Sequence, residues 1–274
     1  MPADPDLAAM ARYYDRGLEL ARLAEPNGVL EFERTKEIIL RYLPAPRSIV
    51  ADIGGGPGRY ALWLEQLGHR VLHRDLMPLH VQQLLQGAGG SQQIETAVAD
   101  ARQLDLATAC ADAVLLLGPL YHLERRHDRM RALAEALRVV RVGGPVFVAA
   151  ISRWAPRVDG MLRERTYEAI PGIEAALHRI ERTGRLPPLG PTAFCGYTHR
   201  PGQFRAELVA SGFEVIDLVG VEGPAFFLDD LSERLADERA RRVVFESARA
   251  LERVPELLGI SPHMLATVRG RSGR

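Results

Sequence analysis

Short apolar runs recur along the chain, each followed by a segment in which apolar residues return every three or four positions. SIVADI (48–53), HRVLHRD (69–75), ETAVAD (95–100), ADAVLLLG (111–118) and PVFVAAIS (145–152) have the length and bulk of buried strands. Between them RYALWLEQLG (59–68), PLHVQQLLQ (78–86) and HDRMRALAEALRVVR (127–141) carry the helical rhythm. Gly68 closes the first of these, Pro78 opens the second and Gly143–Gly144 end the third. Strands alternating with helices at this spacing predict a parallel sheet covered by helices on both faces. Residues 5–43 read as helical and stop at Pro44 and Pro46. After 152 the alternation breaks: 153–183 read as polar helix, and RLPPLGPTAFCGY (185–197) as a loop. It then resumes with a helix at 201–212, a strand at 213–221, helical segments over 229–258 and a last strand at 264–270. The expectation is one α/β domain, a doubly wound and mostly parallel seven-stranded sheet. Its parts are an N-terminal helical cap (1–45), a βαβ core (46–152), a lid insertion after strand five (153–200) and a segment completing the sheet (201–274).

Charge narrows the partners. Lys plus Arg and Asp plus Glu both count 35, so the net charge is zero and the basic excess of a duplex-binding protein is missing. The expectation is no nucleic acid. Cys110 and Cys195 are too few for a disulfide framework or a zinc site. MPADPDLAAM has no basic start of a signal peptide, and VLLLGPL (114–120) is far too short to span a bilayer. A cytoplasmic protein with no membrane partner is expected.

The chemistry concentrates in VADIGGGPGRY (50–60), where a strand runs through glycines into a helix. Bare N–H groups at such a helix start favour anionic or strongly polar ligand groups, and glycines allow close approach. The dinucleotide fingerprint G-x-G-x-x-G fails here, since Arg59 stands at its third glycine. The spacing is instead G-x-G-x-G, at Gly54, Gly56 and Gly58 after Asp52. This resembles the first motif of the class I S-adenosylmethionine (SAM) dependent methyltransferases, a Rossmann-like family. Three further stations agree. Strand two ends in Asp75, suited to a ribose diol; the resemblance implies that role, with Leu76 against adenine. Strand three ends in Asp100, which with Ala101 the resemblance assigns to the adenine amino group. Strand four ends in LLLGPLYHL, so Leu117 and Gly118 are implied to border the cofactor.

Methyl transfer needs alignment and exclusion of water more than covalent help. The Gly118–Tyr121 run lacks the polar residue and second proline with which amino-methylating nucleic-acid enzymes of this fold grip a base, so a small-molecule acceptor of bacterial metabolism is implied. His122, at the end of strand four, is a candidate general base, against a plainly structural histidine. Tyr14 is a second catalytic candidate on the cap, against simple docking. Arg34 is a candidate for the SAM carboxylate, against an ion pair with Glu31. His199, on the lid side, and Phe226 and Phe227 are weaker acceptor candidates. His69, His73 and His80 have no carboxylate cluster with them, and no metal site is expected. The expected function is methyl transfer to O, N or C of a small metabolite. Alternatives are attack on another carbon of SAM with release of methylthioadenosine, a non-catalytic SAM-binding regulator, an NAD-dependent oxidoreductase and a protein methyltransferase. Two apolar helical regions are candidates for pairing subunits into a homodimer.

Overall fold

The computed structural model describes residues 13, 14, 17, 19–189 and 195–271. Its sheet holds β1 (Ile49–Ile53), β2 (Arg70–Asp75), β3 (Ile94–Val98), β4 (Ala113–Leu116), β5 (Pro145–Ser152), β6 (Arg185–Leu186), β7 (Gly196–His199), β8 (Phe213–Gly220) and β9 (His263–Gly270). The main body runs β3-β2-β1-β4-β5-β9-β8, with β1–β5 mutually parallel and β9 antiparallel to both neighbours. This is the mostly parallel seven-stranded sheet expected from the sequence.

Both faces are covered because successive strand residues point to opposite sides. Ala51, Ile53, Val114, Leu116, Val146 and Val148 face one core, closed by Leu133 and Ala136 of the helix Arg126–Val139 and by Phe204 and Leu208 of the helix Pro201–Ala210. Val50, Val71, Leu115 and Phe147 face the other, under Ile38 and Ile39 of the helix Pro26–Leu40 and Ala61 and Leu64 of the helix Arg59–Gln66. Each such side chain, fully buried, contributes roughly 1.5–3 kcal/mol of transfer free energy.

The structure sharpens the sequence reading at three places, and at one of them, 185–197, it departs from it. The stretch 5–43 is not one helical run: among the described residues it forms Glu19–Arg22 and Pro26–Leu40. Pro26 has no N–H to donate and so starts a new helix instead of continuing the old one. The stretch 185–197 is not all loop. Gly184, at φ +81°, ends the helix Ile173–Thr183. Arg185–Leu186 then pairs with Gly196–Tyr197, and Thr198–His199 pair in parallel with Ile151–Ser152 at the end of β5. Third, 229–258 divides into Leu231–Ala236 and Glu238–Leu251 at Asp237, whose carboxylate accepts the Ala240 N–H at 2.7 Å and caps the second helix.

The site follows from this order. The chain leaves β1 toward β2 and β3 on one side, then returns to add β4 on the other. Between β1 and β4 the loops at the carboxyl ends diverge and open a crevice.

Candidate functional site

The crevice encloses about 130 Å³ and is lined from the glycine turn, the ends of β2 and β4, the residues after β3, the start of β9 and the helices of residues 19–40. Gly54 and Gly56 stand at φ +67° and +58°, where any other residue is strained. A Cβ on Gly54 would come 2.5 Å from Pro119 Cγ, so two loop turns pack backbone to ring. Gly58 was expected at the cofactor, but it does not line the crevice. Its left-handed φ of +86° starts the helix Arg59–Gln66, and a side chain there would collide with Leu84.

Asp75 ends β2 almost fully buried. Its Oδ2 accepts the Gly56 N–H at 2.8 Å; its Oδ1 accepts the Met77 N–H at 2.8 Å and lies 3.0 Å from His80 Nδ1. Burial alone would raise its pKa, but these bonds hold it below the usual carboxylate range. Asp52 lies deeper, with Oδ2 lacking any hydrogen-bond partner among the described residues. Burial, helped by the Asp75 charge, pushes its carboxyl up to about 7. His73 locks the turn from below: Nε2 donates to the Gly56 carbonyl at 3.0 Å, which leaves Nδ1 to accept from the Thr96 hydroxyl at 2.8 Å. Burial lowers His73 to about 4, so the ring is neutral.

Leu76, Asp100, Ala101, Leu117 and Gly118 all line the crevice. The Asp100 carboxylate is gripped by Arg102 through Nη2 at 2.7 Å and the backbone N–H at 2.8 Å. Burial opposes the charge on Asp100, but Arg102 holds its pKa low. Arg34 is the clear correction. It is fully buried away from the crevice, bonded to Val221 O at 3.2 Å, to Glu252 at 2.5 Å and to Glu37. The Glu31 partner weighed for it is also absent, because Glu31 takes two bonds from Arg22 at 2.6 and 3.3 Å. His199 is likewise remote, bonded to buried Glu207 at 2.7 Å. Phe226 and Phe227 lie outside the crevice wall in a short 3₁₀ turn.

Tyr14 and His122 meet. The Tyr14 hydroxyl lies 2.7 Å from His122 Nε2, and its ring stands edge-on to His122 and His80 with centroids 5.4 and 4.9 Å away. Burial lowers His122 to about 4 and raises Tyr14 well above its ordinary value, so both are neutral at pH 7. Sequence reasoning passed over other lining residues: Tyr60, Tyr121, Arg22, Glu31, His263 and Arg59. Arg59 directly follows the last glycine, a position that signals proximity, and rests 5.0 Å from the Phe32 ring centroid. The group Glu31, Glu222 and His263 brings a metal-ligand combination within 4.8 Å among the described residues. Arg22 already pairs with Glu31 there, and His263 with Glu222 at 2.5 Å, so the carboxylates are compensated without an ion.

An open parallel sheet with a glycine turn after β1, an acid ending β2 and a second acid after β3 defines a binding domain for an adenosine-bearing cofactor. Residues 51–148 match the family described as a methyltransferase domain. A ubiquinone/menaquinone biosynthesis C-methyltransferase from Acidiphilium cryptum is 32% identical over 148 residues, which cover 51% of this chain and 57% of that protein. The chain thus spans little more than half the length of this curated relative. A SAM-dependent methyltransferase from Methanosarcina mazei superposes with a TM-score of 0.58 at 17% identity, over 86% of this chain and 98% of its own. The 1,6-didemethyltoxoflavin N1-methyltransferase of Burkholderia thailandensis, solved with its acceptor and S-adenosylhomocysteine, gives 0.60 at 14% identity, over 97% and 89%. At these identities the structural likeness is one of fold. Residues 51–148 thus form a methyltransferase domain, on a fold shared with SAM-dependent methyltransferases, whose cofactor is SAM.

The crevice suits that cofactor: the Asp52 oxygen, without a hydrogen-bond partner among the described residues, and the carboxylate ending β2 are groups for polar ligand atoms, and Gly56, lacking a side chain, lets a ligand come close. Strand order also lays out the crevice. From β3 through β2 to β1 and β4 come Asp100, Asp75, Gly54 and Leu117; beyond them, over β5, β9 and β8, come Ala149, His263, Leu265 and Val221.

Proposed function

We propose that the protein transfers the methyl group of SAM to an oxygen, nitrogen or carbon of a small-molecule acceptor. Asp75, Leu76, Asp100 and Ala101 would hold the adenosine, and Gly54, Gly56, Leu117 and Gly118 the methionine portion. Arg59, which makes no ion pair among the described residues, replaces Arg34 as the partner of the carboxylate. Bound there, SAM supplies an electrophilic methyl on a sulfonium, whose sulfur keeps the electron pair when the carbon–sulfur bond breaks.

The observation that carries this reading is the Tyr14–His122 contact of 2.7 Å inside the cavity that also holds the glycine turn and Asp75. His122 takes up the proton that an O–H or N–H acceptor must lose. With the ring proton on Nδ1, Nε2 accepts from the Tyr14 hydroxyl, and that hydroxyl in turn accepts the acceptor's proton. A ring lowered to about 4 is ready to accept at neutral pH. We take residues 19–40 as part of a cap over the acceptor, because Arg22, Glu31 and Thr35 of these helices line the crevice. A small metabolite fits better than a polymer, since the relatives' names carry a quinone-pathway C-methyltransferase and a toxoflavin N-methyltransferase.

Calorimetric titration with SAM, S-adenosylhomocysteine and NADH tests the reading. Wild type should bind both sulfur nucleosides and not NADH, and Asp75→Ala should weaken them about 10–100-fold, the worth of lost charge-assisted hydrogen bonds. NADH binding, or an unaffected variant, would overturn it. With an acceptor found by screening, S-adenosylhomocysteine as product marks methyl transfer; methylthioadenosine marks attack at another carbon.

A further inference from the structure

The crevice beyond the cofactor stations ends in a wall of charge. His263 opens β9 and, because β9 runs antiparallel to β5, it lies beside Ile151 at the carboxyl end of β5. Fully buried Glu222 sits behind it. Glu222 Oε1 is 2.5 Å from His263 Nδ1, and Oε2 accepts the Ser261 hydroxyl at 2.8 Å and the His263 backbone N–H at 3.2 Å. Ser261 Oγ in turn accepts the backbone N–H groups of Glu222 and Gly223, each at 3.1 Å. The ring is therefore fixed through Nδ1, and Nε2 has no protein partner among the described residues. The side chain remains 18% exposed, and that exposure faces the crevice it lines.

The groups facing His263 are Glu222, Glu31 and Arg22. Glu31 Oε2 stands 3.9 Å from Nδ1, but both Glu31 oxygens are held by Arg22, which also bonds Glu19 at 2.7 Å. Glu222 is thus paired with His263, and Glu31 with Arg22, which Glu19 shares; what the wall offers the cavity is the Nε2–H of a charged ring. Burial opposes that charge, but Glu31 and Glu222 raise His263 to about 9. Around it the lining is aromatic and aliphatic: Tyr60, Tyr121, Val221, Leu265 and Ala149.

We propose that His263 is the acceptor-anchoring residue and that the acceptor is a planar oxygenated ring whose carbonyl or phenolic oxygen accepts a hydrogen bond from Nε2. This rests on the methyltransferase reading above. A rigid cationic donor favours an oxygen that carries negative charge, and aromatic walls favour a flat ring. Glu222 and Ser261 hold the ring in place before the acceptor arrives, so little ordering remains at binding.

The probe is 4-nitrophenol, whose phenolate is yellow, with 4-nitroaniline as the control of similar shape lacking the oxygen. Both are titrated into the protein saturated with S-adenosylhomocysteine. Wild type should bind 4-nitrophenol at least about tenfold more tightly than 4-nitroaniline, as phenolate, below the pH at which the free compound ionises. His263→Gln, which keeps a neutral donor, should lose that preference, and Glu222→Gln should reduce it. Both variants should keep wild-type affinity for S-adenosylhomocysteine, which also reports that they fold. Equal behaviour of wild type and His263→Gln toward the probe, including failure of both to bind it, would overturn the inference and leave the cofactor reading standing. Failure of wild type to bind S-adenosylhomocysteine would instead overturn the methyltransferase reading.

Discussion

A histidine in the crevice is a useful base only if it is neutral when substrate arrives, and burial secures that for His122. Desolvation brings the ring to about 4, so its lone pair stays available through the physiological range. The sign is clear: the folded pKa lies below the ordinary value, protonation sets in only as pH falls toward 4, and activity should show no acid limb above about pH 5. Replacing His122 by Asn should lower kcat by about 10²–10⁴ for an acceptor that must lose a proton. The affinity for S-adenosylhomocysteine should stay near wild type, because none of the groups assigned to it changes. Tyr14→Phe should act in the same direction. Steady-state kinetics across pH 5–9, with calorimetry beside it, makes the check. A wild-type profile with an inflection near 7 would mean that another group, Asp52 at about 7 foremost, controls the rate.

At the scale of elements, the glycine turn and the helix network do different work. Gly58 joins β1 to the helix Arg59–Gln66 through a left-handed residue packed on Leu84. Gly58→Ala should therefore cost about 1–3 kcal/mol from backbone strain, with a further loss from the Leu84 collision. Thermal melts would show the loss, and Leu84→Ala in the same chain should recover the collision part as a coupling between neighbours. Arg34 belongs to another network, in which Glu252 also receives Arg41 at 2.8 and 2.9 Å and Arg253, tying the helix Pro26–Leu40 to the segment after Glu238–Leu251. Arg34→Met should lower stability by about 2 kcal/mol, less than for an isolated buried pair because Glu252 keeps other cations. It should leave the affinity for S-adenosylhomocysteine unchanged, and a weakened affinity would return Arg34 to the cofactor. These two residues also show what the sequence could carry. The place of Gly54, Asp75, Asp100 and Leu117 on the crevice wall is legible because each ends or follows a strand, and strand ends fix the crevice locally. Arg34 was misread because its partner Glu252 is 218 positions away, a closure no local pattern reveals. His263 went unnoticed for the same reason: its place in the crevice depends on β9 inserting antiparallel between β5 and β8.

The whole molecule joins these sites through its proton balance, because the crevice buries both neutral and charged histidines. His73 and His122 sit at about 4 when folded and near 6.5 when unfolded. As pH falls through that window the unfolded chain gains two protons that the folded chain refuses, so stability drops. Asp52, raised to about 7, opposes them: the folded chain holds its proton where the unfolded chain does not, and stability falls as pH rises from about 4 to 7. His69 and His199, also lowered by burial, add to the same side, so the histidines outweigh Asp52 and stability rises with pH between about 4.5 and 6. Above 6.5 the sign reverses. His263 is raised to about 9, so its contribution is complete below the unfolded value and is lost as pH climbs through 9. Stability of the ligand-free chain should peak near pH 6.5 and decline to pH 9 by about 1.4 kcal/mol per unit, one proton's worth. Urea unfolding at half-unit steps gives the curve, and His263→Gln should flatten its alkaline side while leaving the acid side in place. A wild-type curve that is level from pH 7 to 9 would mean that His263 is neutral in the folded chain. The wall would then lack the positive charge with which it is proposed to anchor an acceptor oxygen.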